Sequence, residues 1–260
     1  VFDAARSSGV ESISVDLVAG LPFQTRESFR DTLQQVVDSG ADRIAILGGS
    51  FDPIHLGHLT LAKEVRNRLG LDRVWLMPAF QSPNKLTEKS ANAEARWAMV
   101  NLAIEGEPEL EACDLELKRQ GVSYTHETLE ALHIKHPETD WSWILGLDTF
   151  LDFPGWKNQQ RILALANLIV VPRSGCDESA IQKTLNTLAQ SFQTFVEKTK
   201  PDGSREVVLA HTGKKITLVK MPLIDVASRE IRREFYRSPE TKKRLPPSVV
   251  QYIMDNQLYY

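Results

Sequence analysis

The run Arg43-Ile44-Ala45-Ile46-Leu47 ends in Gly48-Gly49, passes through Ser50-Phe51-Asp52-Pro53-Ile54 and enters a helical pattern at His55-Leu56-Gly57-His58. Leu59, Leu61, Ala62, Val65 and Leu69 then recur at helical spacing until Gly70 stops the helix. A short apolar run that turns at glycines straight into a helix is a buried strand of a parallel sheet, because parallel neighbours need such crossovers. The pattern repeats. Val74–Met77 is a strand cut by Pro78, followed after a long loop by a helix from about 93 to 104. A short strand is expected at Leu115–Leu117, a helix over 124–135 and a strand over 141–147. A further helix closes at Leu163–Ala166, before the strand Leu168–Val171. The alternation predicts an α/β fold, a doubly wound parallel sheet with helices on both faces and ligands at the carboxyl ends of its strands. Residues 176–215 read as an insertion, with an amphipathic helix over 180–196, a turn at Lys200–Ser204 and paired strands at 207–210 and 216–219. The far end is helical again over 228–236 and 248–256.

Composition narrows the class. With 42% hydrophobic residues among 260, the chain can bury a full core, and its net charge of −3 supplies no global basic field for nucleic acid or anionic membrane. Two cysteines, Cys113 and Cys176, have no metal-site spacing, so a reducing cytoplasm is the expected location. No apolar run reaches the roughly 18 residues of a membrane span. Self-association is left open.

The first strand–turn–helix has the chemistry of a phosphate site. Gly48 and Gly49 let backbone N–H groups approach an anion, and the helix beginning near Gly57 aims its free N–H groups at the same place. His55 and His58 converge on one phosphate, where an imidazole donor stabilises charge growing on phosphoryl oxygens. Asp52 either helps hold a metal ion or serves the Asp-Pro turn, and the sequence leaves both open.

Gly-Gly-Ser-Phe-Asp-Pro-Ile-His-x-Gly-His resembles the T/H-x-G-H nucleotidylyltransferase superfamily, and is most similar to its bacterial nicotinate-nucleotide adenylyltransferase branch. The resemblance extends from about residue 43 to 260 and implies a Rossmann-like fold of nucleotidylyltransferase type. It implies ATP contacts at Gly48, Gly49, Ser50, Phe51, Gly57, Ser228 and Ile231, and catalytic roles for His55, His58, Lys85 and Arg232. Pro78–Lys85 matches the family's Pro-rich loop, with Asn84 where a histidine is more usual. Val226-Ala227-Ser228-Arg229-Glu230-Ile231-Arg232 matches the Ile-Ser-Ser-Thr-x-Ile-Arg motif, with Ala227 and Arg229 replacing hydroxyl residues. Ser123, Tyr124, Thr125, Asp148 and Trp156 match positions of the nicotinate-nucleotide pocket. From the residues alone, Ser123 or Thr125 is equally a helix cap and Trp156 equally core packing. The implied reaction is in-line attack of the nicotinate mononucleotide 5′-phosphate on the α-phosphorus of ATP, with Mg²⁺ accompanying the triphosphate.

Residues 1–42 fall outside this resemblance and form a separate leader. A strand at Ser12–Val18 and a helix with Phe29, Leu33 and Val36 on one face make one β/α unit. Val10–Thr25 is similar to a segment of radical SAM coproporphyrinogen-oxidase-like enzymes. The cluster-binding Cys-x-x-x-Cys-x-x-Cys is absent, so no iron–sulfur cluster is expected. Competing readings are transfer to nicotinamide mononucleotide or phosphopantetheine, a non-catalytic nucleotide-binding protein, and a radical SAM fragment acting as a scaffold.

Overall fold

A computed structural model describes residues 42–83, 90–173, 177–192, 195–224 and 226–260. The leader, with its expected strand and helix, lies outside these residues, as do Asn84, Lys85 and Cys176. Eight strands form one sheet in the order β3-β2-β1-β4-β5-β8-β7-β6. They are β1 (Arg43–Gly49), β2 (Arg73–Pro78), β3 (Leu110–Ala112), β4 (Asp140–Gly146), β5 (Asn167–Val171), β6 (Phe195–Thr199), β7 (Arg205–Leu209) and β8 (Lys215–Leu218). The six strands from β3 to β8 run parallel, which is the doubly wound sheet expected. The edge hairpin of β6 and β7 adds two antiparallel strands.

Successive strands grow outward from β1 in both directions, so the topological switch lies between β1 and β4. At that point two connections leave on opposite faces, opening a crevice beyond the strands' carboxyl ends. Gly48-Gly49 and Gly146 lie on its two lips.

Alternation in β1 shows why both faces are covered. Ile44 and Ile46 join one cluster with Leu129 and Leu132 of α4 (Thr125–Lys135) and Ile162 of α6 (Gln159–Leu165). Ala45 and Leu47 face the other way, against Ala62 and Val65 of α1 (Leu56–Leu69) and Met99 of α2 (Ala93–Ala103). Such a strand must be apolar throughout, since polar residues on either face lack partners.

Two local expectations are corrected. Leu115–Leu117 is not a strand but part of α3 (Leu115–Arg119); Leu110–Ala112 fills the strand position by pairing with Val74–Leu76. The Leu-Glu-Leu alternation misleads because Glu116 turns inward, donated to by Thr128 Oγ1 at 2.7 Å. The helix expected over 180–196 is α7 (Glu178–Phe192), and the chain then enters β6. β7 and β8 pair antiparallel as expected, and β8 also docks beside β5. The remaining helices are α5 (Leu147–Asp152), α8 (Ser228–Glu234), α9 (Pro239–Lys242) and α10 (Pro247–Asp255).

Candidate active site

The turn from β1 into α1 is built by mutual capping. The His55 N–H donates to His58 Nδ1, and the His58 N–H donates to His55 Nδ1, both at 3.3 Å. Two N–H groups at the helix start are thereby satisfied by imidazoles instead of the usual hydroxyl and carboxylate. The rings stack with centroids 3.7 Å apart. An Nδ1 that accepts a bond places the neutral ring's proton on Nε2, so each histidine offers an Nε2–H donor. Both side chains line one groove, together with Arg173, Met221, Ile224 and Val226.

His55 is buried, and its pKa is lowered to about 4, first by desolvation and then by the Arg173 charge, against its own backbone hydrogen bond. It is therefore a neutral donor at pH 7 in the free protein. A folded pKa below the unfolded value of about 6.5 means stability that is fully present above pH 6.5 and lost as pH falls through about 4. The linked free energy is about 3 kcal/mol. Thermal unfolding of wild type and His55→Asn across this window should show a steeper loss in wild type; parallel curves would refute the assignment.

The glycines have distinct reasons. A Cβ on Gly57 would stand 3.0 Å from His55 Nδ1 and 3.1 Å from Val226 Cβ, so the helix start closes on the imidazole only with glycine there. At Gly48 a Cβ would meet the Trp143 ring at 2.8 Å, so packing between β1 and β4 demands glycine independently of any anion. Phe51 takes φ 47° and is buried beneath Gly49, its ring edge-on to the His58 ring with centroids 5.0 Å apart. It forms the wall behind His58.

Helix α8 docks on this turn. Ser228 Oγ donates to the Pro53 carbonyl at 3.0 Å, and Arg232 Nη1 donates to the Asp52 carbonyl at 2.6 Å. Ile231 is fully buried, so its contribution is to seat the helix. Asp52 is 3% exposed and surrounded by protein donors: Ala91 N–H, the Tyr259 hydroxyl and Arg232. That environment favours the turn-anchoring alternative over metal ligation. Among the described residues, no group of three or more His, Cys, Asp or Glu is arranged to hold a metal ion.

A second set lies around the connection after β2 and the starts of α4 and α5. Phe80 N–H donates to Ser123 Oγ at 3.1 Å and Ser123 N–H donates to the Gln81 carbonyl at 2.9 Å, stitching the Pro78–Pro83 loop to the start of α4. Burial raises the pKa of Glu116 behind Ser123, opposed by hydrogen bonds from Thr128 and Ser123. Tyr124 precedes α4, Thr125 begins it, and the Lys157 ammonium stands 3.9 Å over the Tyr124 ring. Trp156 packs partly buried beside Phe153. Asp148 opens α5, exposed, accepting from the Thr149 N–H at 2.9 Å. Its Oδ1 would clash at 2.5 Å with any Gly146 Cβ, which Arg173 also approaches.

The structure thus gathers His55, Gly57, His58, Ser228 and Arg232 at one turn, and Ser123 and Tyr124 at a second wall. Sequence reasoning missed Arg173, although a cation just past an apolar strand of such a sheet was a usable signal. It also missed Arg96, which is buried and donates to the carbonyls of Ser50 (2.9 Å), Ala79 (2.6 Å), Phe80 (3.1 Å) and Ala91 (3.1 Å). Burial depresses its pKa, while Asp52 and Tyr259 raise it.

Residues 46–243 match the family model described as cytidylyltransferase-like. A relative from Geotalea daltonii, named "Probable nicotinate-nucleotide adenylyltransferase", is 37% identical over 84% of this chain and 98% of its own. One of the same name from Roseiflexus sp. is 38% identical over 83% of this chain and 97% of its own. Among solved structures, the Plasmodium falciparum nicotinic acid mononucleotide adenylyltransferase complexed with NaAD superposes with a TM-score of 0.62. That match is 20% identical and covers 84% of this chain and 97% of the other, which establishes the shared fold. With its sheet order, its paired histidines and these relatives, the chain belongs to the nicotinate-nucleotide adenylyltransferase family of cytidylyltransferase-like proteins.

Proposed function

We propose that this protein transfers the adenylyl group of ATP to nicotinate mononucleotide, giving nicotinate adenine dinucleotide and pyrophosphate, a step of NAD synthesis. Membership of a family whose relatives carry that name supports the reaction. The observation that carries the site is the reciprocal capping of His55 and His58, which fixes both imidazoles in the lining of one groove. An acceptor phosphate oxygen attacks the α-phosphorus, the bond to the bridging oxygen breaks, and pyrophosphate leaves with those electrons. No covalent enzyme intermediate is required, so catalysis is positioning and charge stabilisation.

In this reading His55 and His58 donate to the α-phosphate and Arg173 adds positive field beside them. Arg232, Lys85 and the Ser228 end of α8 receive the β- and γ-phosphates. Met221, Ile224 and Val226 offer an apolar wall for the adenine. Divalent metal enters as the Mg²⁺ complex of ATP, held by phosphate oxygens, which agrees with the protein-bound state of Asp52. Ser123, Tyr124, Asp148 and Trp156 would form the nicotinate-nucleotide wall, where the Lys157 cation suits a carboxylate better than an amide. The enzyme would work in the cytoplasm; among the described residues no helix is long and apolar enough to cross a membrane.

Steady-state pyrophosphate release from Mg·ATP, measured with nicotinate mononucleotide, nicotinamide mononucleotide and phosphopantetheine, tests the acceptor. Nicotinate mononucleotide should give at least about tenfold higher kcat/KM, roughly the value of one charged hydrogen bond. Equal or higher efficiency with another acceptor would reject this assignment.

A further inference from the structure

Tyr259 lies 207 positions from Asp52 in the sequence, yet its hydroxyl donates to Asp52 Oδ1 at 2.7 Å. The same oxygen accepts the Ala91 N–H at 3.1 Å. The other oxygen, Oδ2, stands 3.4 Å from Arg232 Nη1, whose shorter bond of 2.6 Å goes to the Asp52 backbone carbonyl. The carboxylate is thus divided: two neutral donors hold one oxygen, and the cation receives a single long contact from the other. A carboxylate and a guanidinium left to themselves prefer two parallel short bonds. Such a pair would consume the positive charge that a triphosphate needs.

We propose that Tyr259 is a positioning residue for the ATP phosphate site, holding Asp52 out of a bidentate pair with Arg232 and so keeping Arg232 available to the triphosphate. Tyr259 itself adopts φ 64°, a left-handed conformation that costs a non-glycine residue energy and persists only where surrounding contacts impose it. The ring packs against the apolar cluster that contains Phe51 and Ile231, and the hydroxyl bond completes its placement. Burial and the neighbouring carboxylate push the phenol's pKa upward, so it remains a donor throughout the working pH range. The Ala91 N–H links the same carboxylate to the segment that leads into α2. One side chain thereby couples α8, the approach to α2 and Tyr259.

The proposal rests on the functional reading above, and its test pairs analogue binding with one steady-state constant. The probe is the α,β-methylene analogue of ATP with Mg²⁺, titrated by calorimetry against wild type and Tyr259→Phe, which keeps the ring and removes the donor. The expected result is a roughly tenfold weaker Kd, with the KM for nicotinate mononucleotide unchanged within about twofold. In the double variant Tyr259→Phe/Asp52→Asn the amide cannot neutralise Arg232, and analogue affinity should return to within about threefold of wild type. An unchanged Kd in Tyr259→Phe, a parallel rise in both substrate constants, or no recovery in the double variant would overturn the proposal. Wild type that binds the analogue but transfers nothing to nicotinate mononucleotide defeats the functional reading and leaves this comparison intact. Wild type that does not bind the analogue overturns both.

Discussion

Replacing His58 by alanine is expected to lower kcat for pyrophosphate release by about 10²- to 10³-fold, the usual loss when one preorganised donor to a developing oxyanion is removed. The KM for ATP should move far less, within about threefold, because the donor acts most strongly where charge accumulates. The prediction follows from the capping geometry. His58 Nδ1 is occupied by the His55 N–H, so the ring's orientation and tautomer are set before substrate arrives. The groove receives the opposite edge of each ring. Losing half of this cap costs the helix about 1 kcal/mol, too little to unfold the domain. Activity per folded molecule, with the folded fraction taken from circular dichroism, separates the two effects. Turnover within threefold of wild type would show that the stacked pair is structural only.

The second large effect belongs to a residue that touches no reacting atom. Arg96→Met should destabilise the protein by about 3–5 kcal/mol, the cost of breaking a buried charged network. For a domain of this size that is a fall in Tm of roughly 10 °C. The guanidinium draws together the carbonyls of Ser50, Ala79, Phe80 and Ala91, four groups from the two connections that follow β1 and β2. Methionine has similar length and no donors, so those buried carbonyls lose their partner while the cavity stays filled. Differential scanning calorimetry decides the matter. A Tm within 2 °C of wild type would mean the loops hold their shape by other contacts.

These two residues mark the boundary of what could be read in advance. His55, Gly57 and His58 are legible because strand, turn and helix are contiguous, so the spacing itself fixes their geometry. The alternating strands and the doubly wound sheet were legible for the same reason: each element announces its own period. Arg96 and Tyr259 act through partners distant in sequence, and nothing local distinguishes them from solvated surface residues. Gly48 has a packing reason that the sequence does not show, since Trp143 is brought close only when β4 joins β1. Asp52 is ambiguous between turn and metal in the sequence because its buried donors, Ala91 N–H, the Tyr259 hydroxyl and Arg232, come from distant segments. Glu116 failed differently: its inward turn toward Thr128 made a helix look like an alternating strand.

The fate of the ATP α-phosphorus tests the central claim most directly. With nicotinate mononucleotide and Mg·ATP labelled at the α-phosphate, label should pass into the dinucleotide, while γ-label should appear only in pyrophosphate. Appearance of γ-label on the acceptor, or retention of α-label in a free nucleotide with no dinucleotide formed, would contradict adenylyl transfer at the His55–His58 turn.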